Sequence, residues 1–413
     1  MTEVTVGRRE RKKARTRQAI ADAALKLFLE RGFDQVTIKD VADAADVSMS
    51  GLFKHFPTKE SLVFDQEDYV AEGLVAAVRD RPEATPALEA LRLWMRAQFD
   101  VEPADTHLAA FLDLIAASPT LSDYSRRMWL RQEQQLGDAI RHAGPAVPGA
   151  DIAARAVARF VLDRTQPCDR TGPRGQLDDA VALLTRGWPA PELRRPPQTR
   201  PSAPPSPDRP LGLRERKKAQ TRRAITTTAL RLFTEDGYDN VGVREIADAA
   251  EVSLATVFAY FPDGKASLVF PGNRTDRADA LVRAVHHRAP DQTVIRAVHD
   301  YMAACGPFKP DLTPDEQRVF DLIRANPEMS DYALRSWTAA QDPLAAAITE
   351  EAALPADDLT ARLLTRYLLQ IPDLARPITD ARRTLEVVTN LLERGWPAAL
   401  TEPDEDMAGV GEA

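Results

Sequence analysis

Cysteine is almost missing from this chain: Cys168 and Cys305 are the two in 413 residues, and neither sits in a CxxC pair or a Cys/His ladder. That argues against a disulfide framework and a zinc site and suits a reducing, cytoplasmic setting. Histidine is scarce as well. His286 and His287 are adjacent, so they point to different helix faces, and with His299 they have no acidic or cysteine partner at ligand spacing, so no metal is expected. No run approaches the roughly 18–20 apolar residues of a membrane span. The N-terminal MTEVTVGRRERKK is basic with no apolar stretch behind it, so no secretory signal is expected there. Nucleophilic triads, P-loops and Gly-rich dinucleotide turns are absent, which leaves no reason to expect an enzyme or a cofactor. Positive charge is short overall: 54 Lys and Arg against 62 Asp and Glu give a net charge of −8, which taken whole argues against nucleic acid.

What the chain does have is a repeat. Residues 9–57 (RERKKARTRQAIADAALKLFLERGFDQVTIKDVADAADVSMSGLFKHFP) return as residues 214–262 (RERKKAQTRRAITTTALRLFTEDGYDNVGVREIADAAEVSLATVFAYFP), with 27 of 49 positions identical and no gaps. A match this long marks a duplicated structural unit. The way the charge is distributed also overrides its total. Residues 8–17 carry seven basic side chains and one acidic, and residues 214–223 carry six and one. Each cluster precedes an apolar-periodic helix, as an arm or first helical turns lying on phosphates would. Lys12, Lys13, Arg17 and their counterparts Lys217, Lys218 and Arg222 are the expected phosphate contacts.

Ile20, Ala24, Leu27 and Phe28, and again Ile225, Ala229, Leu232 and Phe233, form one buried helical stripe per copy. Gly32 and Gly237 end these helices where a left-handed residue is favourable. Thr37 heads a short second helix, with Asp40 placed to complete a capping box. Small residues follow at Asp43-Ala-Ala and Asp248-Ala-Ala, and Ser48 and Ser253 cap a third helix that ends near Phe56-Pro57 and Phe261-Pro262. Short helix, tight turn, short capped helix is a helix-turn-helix.

The strings VADAADVSMSGLFKHFPTKESL and IADAAEVSLATVFAYFPDGKASL resemble the DNA-binding domain of the TetR (tetracycline-repressor-like) family over about 55 residues of each repeat. The resemblance implies an all-α chain whose partner is double-stranded operator DNA, regulated by a small-molecule effector. It implies that Met49, Ser50, Gly51 and Lys54, with Leu254, Ala255, Thr256 and Ala259, face base edges. His55 and Tyr260 would touch the backbone, and Lys59 and Lys265 would complete those contacts. Thr37, Ser48 and Ser253 are counted with this DNA-facing set. Phe53 and Phe258 stand where the family often has Tyr, so a phosphate hydrogen bond is lost in both copies.

The downstream halves repeat too. DLIAASPTLSDYSRRMW (113–129) returns as DLIRANPEMSDYALRSW (321–337), and LLTRGWPA (183–190) as LLERGWPA (391–398). Expected boundaries are readers at 8–62 and 211–268, helical regulatory domains at 63–188 and 269–398, a Pro-rich linker at 189–210 and an acidic tail at 399–413. The linker's reach is about 60–70 Å if extended. Trp94, Phe111 and Trp129, with Tyr301, Phe320 and Trp337, are candidates to line an effector pocket, although most such aromatics are core residues. The family packs its last two helices into a dimer interface, so two halves on one chain imply a monomer that acts as an intramolecular pseudo-dimer. A higher oligomer of the fused chain, and an interaction or sensor protein whose second reader no longer binds DNA, stay open here.

The copies have drifted. Residues 8–60 hold 12 basic and 8 acidic side chains (net +4), and residues 213–266 hold 9 and 8 (net +1). Arg8 becomes Leu213, Thr37 becomes Gly242 and Lys54 becomes Ala259. After each reader FDQEDYV (64–70) can continue as helix, whereas FPGNRTD (270–276) is interrupted by Pro271 and Gly272. The first pocket is therefore expected to dominate an effector response.

Overall fold

Ile20, Ala24 and Phe28 are fully buried together, and so are Ile225, Ala229 and Phe233, because residues three and four apart share one face of a helix. The structure is a computed structural model that describes residues 8–65, 67–99, 106–163, 173–194, 213–270, 274–376 and 380–397. Cys168, the Pro271–Gly272 interruption, the acidic tail and the linker beyond residue 194 lie outside the described residues, as do the side chains of residues 8–10 and 213–215. Among the described residues all regular structure is helical. The chain divides into two compact units, Met1–Val181 and Ala182–Ala413.

The first unit holds α1 (Arg8–Arg31), α2 (Ile38–Ala44), α3 (Met49–His55), α4 (Glu67–Arg79), α5 (Ala87–Phe99), α6 (Thr106–Ala117), α7 (Pro119–Ala143), α8 (Ala150–Asp163) and most of α9 (Pro173–Arg186). The basic run is thus the opening turns of a 24-residue helix. Gly32 ends that helix at φ +83°, a conformation in which a Cβ is strained. The turn between α2 and α3 is closed by Val47 N–H donating to the Ala42 carbonyl at 3.0 Å. Leu52 and Phe56 seat α3 on the stripe of α1, and Leu114, Ile115 and Leu121 extend that core from the regulatory side. Helices α7 and α8 cross closely at Gly137, where a Cβ would stand 3.3 Å from the Arg155 Cα. Buried Glu133 of α7 is paired there by both Arg155 and Arg159.

The second unit holds the end of α9, then α10 (Leu213–Glu235), α11 (Val243–Ala249), α12 (Leu254–Tyr260), α13 (Arg274–His286), α14 (Val294–Ala303), α15 (Pro314–Ala325), α16 (Pro327–Thr338), α17 (Gln341–Ala352), α18 (Leu359–Leu374) and α19 (Ala381–Arg394). Where α7 runs unbroken for 25 residues, α16 and α17 are separate helices of 12 each. Pro343 explains the break: its nitrogen has no hydrogen to give to the preceding turn, and its ring crowds the carbonyl four residues back.

The repeated Arg-Gly-Trp-Pro has a structural cause within this second unit. Trp188 N–H donates to the Leu392 carbonyl and Trp396 N–H to the Leu184 carbonyl, each at 2.7 Å. Gly187 and Gly395 stand at φ +76° and +78°. A Cβ on Gly187 would lie 2.1 Å from the Glu393 carbonyl oxygen, and one on Gly395 2.3 Å from that of Thr185. The ends of α9 and α19 therefore exchange backbone hydrogen bonds symmetrically, and only glycine fits at the crossing. The expected linker is shortened by this packing. Pro191–Arg194 forms a 3₁₀ turn in which buried Glu192 accepts from the Trp188 indole at 3.2 Å and from the Val294 N–H at 3.1 Å.

Candidate nucleic-acid interface and ligand cavity

Each reader presents its third helix through the same local chemistry. The Ser48 hydroxyl accepts from Gly51 N–H at 3.1 Å, and Ser253 from Thr256 N–H at 3.0 Å, which starts α3 and α12 without fraying. Thr37 and Asp40 form the full capping box of α2. Gly242 has no side chain to contribute, so in α11 only the return bond from Gly242 N–H to Glu245 remains, at 3.4 Å.

On α3, Met49 (41% exposed), Ser50, Phe53 (46%) and Lys54 face solvent, while Leu52 is buried and Gly51 is half-buried. On α12, Ala255, Phe258 (48%) and Ala259 are exposed, Thr256 is half-buried, and Leu254 and Tyr260 lean on the reader core. Phe53 and Phe258 lack the hydroxyl common in the family, yet each is an uncovered aromatic face on the presenting surface. Such a face suits thymine methyls or deoxyribose. Lys12, Lys13, Lys217 and Lys218 are exposed on α1 and α10.

Two pairs of cations expected at phosphates make bonds inside the readers. Arg17 donates to the carbonyls of His55 and Asp65 and lies over the Phe56 ring at 4.2 Å. Arg222 likewise donates to the Tyr260 carbonyl at 2.7 Å and covers Phe261 at 4.3 Å. These guanidiniums satisfy the open carbonyl end of the third helix, where a cation is also favoured by the helix dipole. Lys59 donates to the Phe33 carbonyl at 2.5 Å over the Phe33 ring, and Lys265 to the Tyr238 carbonyl over the Tyr238 ring. Burial pulls the Lys59 pKa below its ordinary value, against the pull of Asp34 and Glu60. All four cations bond within the readers: the arginines tie the first helix to the end of the third, and the lysines close the turn after the first helix. Exposed positive charge lies on the first helices, at Arg11, Lys12, Lys13 and Arg15 and at Arg216, Lys217, Lys218 and Arg223, with Lys54 added in the first reader.

His55 is half-buried, and its Nδ1 is buried with no hydrogen-bond partner. Burial, with Lys13 and Arg17 adding repulsion, lowers its pKa from 6.5, so the ring is neutral at pH 7. The histidines weighed as metal ligands are engaged elsewhere: His286 with Glu351 at 3.0 Å and His299 with Glu386 at 2.9 Å. Burial opposes the charge on His299, but Glu386 and Asp300 outweigh it and raise its pKa. Among the described residues no group of three His, Cys, Asp or Glu side chains could hold a metal, and no helix is long and apolar enough to cross a membrane.

The candidate pocket aromatics part company. In the first unit Phe111 meets Phe64 edge-on at 6.2 Å, Phe64 stacks on Tyr124 at 5.3 Å, and the Tyr124 hydroxyl donates to Glu67 at 3.0 Å. Trp94 presses on Gly73, where a Cβ would fall 2.2 Å from the indole. The Trp129 indole nitrogen is buried without a partner. In the second unit Tyr301, Phe320 and Trp337 all line one cavity of about 740 Å³, within the size range of small-molecule sites. The sequence expectation was that the first pocket dominates an effector response; this cavity lies in the second unit. Its walls include Thr226 and Leu230 of α10, and Val269 and Phe270 from the reader core.

Comparison with known proteins agrees with this geometry. The family model described as "Bacterial regulatory proteins, tetR family" matches residues 20–65 and again 225–270, which span both helix-turn-helix units. The HTH-type transcriptional regulator TcmR of Streptomyces glaucescens is 32% identical over 164 residues, covering 38% of this chain and 70% of that protein. The HTH-type transcriptional repressor KstR2 of Mycobacterium tuberculosis is 28% identical over 160 residues (36% of this chain, 77% of that protein). The HTH-type transcriptional regulator RutR of Escherichia coli is 28% identical over 122 residues (29% and 57%). With the model matched at both readers and TcmR covered over more than two thirds of its length, the chain belongs to the tetR family of bacterial regulatory proteins.

Proposed function

We propose that this chain is a DNA-binding transcriptional regulator, a repressor relieved by a small effector, that occupies its operator as a single-chain pseudo-dimer in the cytoplasm. The carrying observation is the duplication of an intact reader: two capped third helices, each tied by an arginine to a first helix that carries exposed lysines. The symmetric bonding of the two Arg-Gly-Trp-Pro segments supports pairing of the halves within one chain. Joining the readers makes the second DNA contact intramolecular and raises its effective concentration. The drift in charge between copies supports an imperfect inverted repeat, with the better-read half under α3.

The test is selection of duplexes from a random pool, followed by footprinting and light scattering on the complex. The reading requires one 45.6 kDa chain per duplex, with half-sites about one helical turn, ~34–36 Å, apart. Two chains per minimal operator overturn the single-chain form. A footprint under only one reader favours the sensor alternative.

A further inference from the structure

The cavity of the second unit contains a charge that no acidic side chain answers among the described residues. Arg277 of α13 reaches into it, donates to the Ser336 hydroxyl and lies against the Trp337 ring at 4.2 Å. Tyr301, Cys305 and Tyr332 are its other polar neighbours, and no carboxylate among the described residues pairs with it. Burial accordingly pulls its pKa below the ordinary arginine value. The acids lining the cavity are committed elsewhere: Glu316 to Lys309 at 2.7 Å and Asp373 to Arg376. Asp276, next in sequence, is exposed. The Thr226 hydroxyl, also on the lining, is buried with no partner. The remaining wall is largely aromatic and aliphatic, with Phe270, Phe308, Phe320, Ile323 and Trp337 among its members. A half-buried cation without a counter-charge and a buried hydroxyl without a partner are expensive to keep unless something completes them.

We propose that this cavity binds a small molecule with a flat apolar body and an anionic group, with Arg277 supplying the counter-charge and Thr226 a second polar contact. The pairing is particular to the second half. Helix α4 (Glu67–Arg79) matches α13 (Arg274–His286) with Leu74 and Val78 buried where Leu281 and Val285 are, so Val70 stands where Arg277 does, and the first half instead packs Trp94 onto Gly73. The smaller Tyr301 replaces that indole and leaves room. Because Thr226, Leu230, Val269 and Phe270 belong to the second reader, an occupant would touch the DNA-binding domain directly. The effect on DNA rests on the regulatory reading above, but the binding does not.

The test uses the full chain and two fluorescent probes, anilinonaphthalene sulfonate and its neutral counterpart phenylnaphthylamine. The wild type should bind the sulfonate about ten-fold tighter or more, as a charge-assisted contact in a buried site allows. Arg277→Gln should erase that preference and leave the neutral probe's affinity unchanged, while Arg277→Lys retains part of it. Cys305 lines the cavity and gives a readout that needs no variant: the sulfonate should slow its alkylation by N-ethylmaleimide, read by peptide mapping, at concentrations where the neutral probe does not. Equal affinity for the two probes, an unchanged preference in Arg277→Gln, or Cys305 alkylation indifferent to the sulfonate overturns the proposal. Charge-selective binding with no change in DNA affinity sustains the proposal and counts against the regulatory reading.

Discussion

Replacing Gly187 with alanine separates two costs that a left-handed glycine usually mixes. Gly187 and Gly237 share nearly the same backbone angle, φ +76° and +87°, and both lie in the second unit. They differ in their surroundings. A Cβ on Gly237 meets only the Asn240 amide at 3.5 Å, ordinary contact, whereas on Gly187 it lands 2.1 Å from the Glu393 carbonyl oxygen. Gly237→Ala should therefore cost only the left-handed strain, about 1–2 kcal/mol. Gly187→Ala adds the parting of the two backbones and the buried Trp188–Leu392 hydrogen bond, about 1–3 kcal/mol more. Its total is then about 2–5 kcal/mol. The double variant Gly187→Ala with Gly395→Ala should lose less than the sum, because once the crossing has opened the second clash is already relieved. Urea denaturation followed by tryptophan fluorescence reads this well, since Trp188 and Trp396 lie at the crossing and are buried. Equal losses from Gly187→Ala and Gly237→Ala, or additive losses from the pair, would refute the claim that this crossing is a tight reciprocal contact.

The readers supply the other expectations. Lys12→Ala and Lys13→Ala should each flatten the salt dependence of DNA binding by about one unit of slope. Arg17→Lys should weaken binding through a loosened α3 and leave the slope unchanged. A slope lost with Arg17 would restore it as a phosphate contact. Lys54→Ala should cost about 1–3 kcal/mol on the selected operator and little on random duplex if that lysine reads a base. Footprinted affinity that falls equally on both duplexes would make it a phosphate contact instead. His55 has a free-protein pKa below 6.5, so a phosphate beside it raises the pKa in the complex and binding takes up a proton. Affinity should rise as pH falls from neutrality toward the lowered His55 pKa, and anisotropy titrations should show that rise diminished in His55→Gln. An identical pH profile in the variant would remove His55 from the interface.

The stripe, the stops and the caps were legible because each is local. Ile20, Ala24 and Phe28 fall at helical spacing, Gly32 ends the helix, and Ser48 accepts from a residue three positions on. The role of Arg17 was not legible. A cation in a basic run looks the same in sequence whether it meets a phosphate or the last carbonyl of a helix 38 residues away. Only the fold brings His55 back to α1. A usable signal was nevertheless present in the duplication. Arg17 and Lys59 persist as Arg222 and Lys265, while solvent-facing Lys54 became Ala259. Two copies free to mutate independently lose surface contacts first and keep the residues that fill a gap inside each unit. The same reasoning explains why Arg-Gly-Trp-Pro survives twice: its glycines and tryptophans satisfy one another across a crossing that admits no side chain.

The cavity obeys neither rule. It is a volume left over by packing, and periodicity carries no information about volume. Trp94 against Tyr301 reads as an ordinary aromatic exchange, and Val70 against Arg277 as surface drift. Together they open a space and place an unpaired charge in it. The direction of drift then becomes physically coherent. The first reader keeps more positive charge, while the second half has a cavity of about 740 Å³ with a half-buried cation beside its own reader core. Separate identical protomers must carry every function in both copies. Fusion removes that constraint, so a loss of DNA charge in one half can be tolerated while that half acquires a site the other lacks.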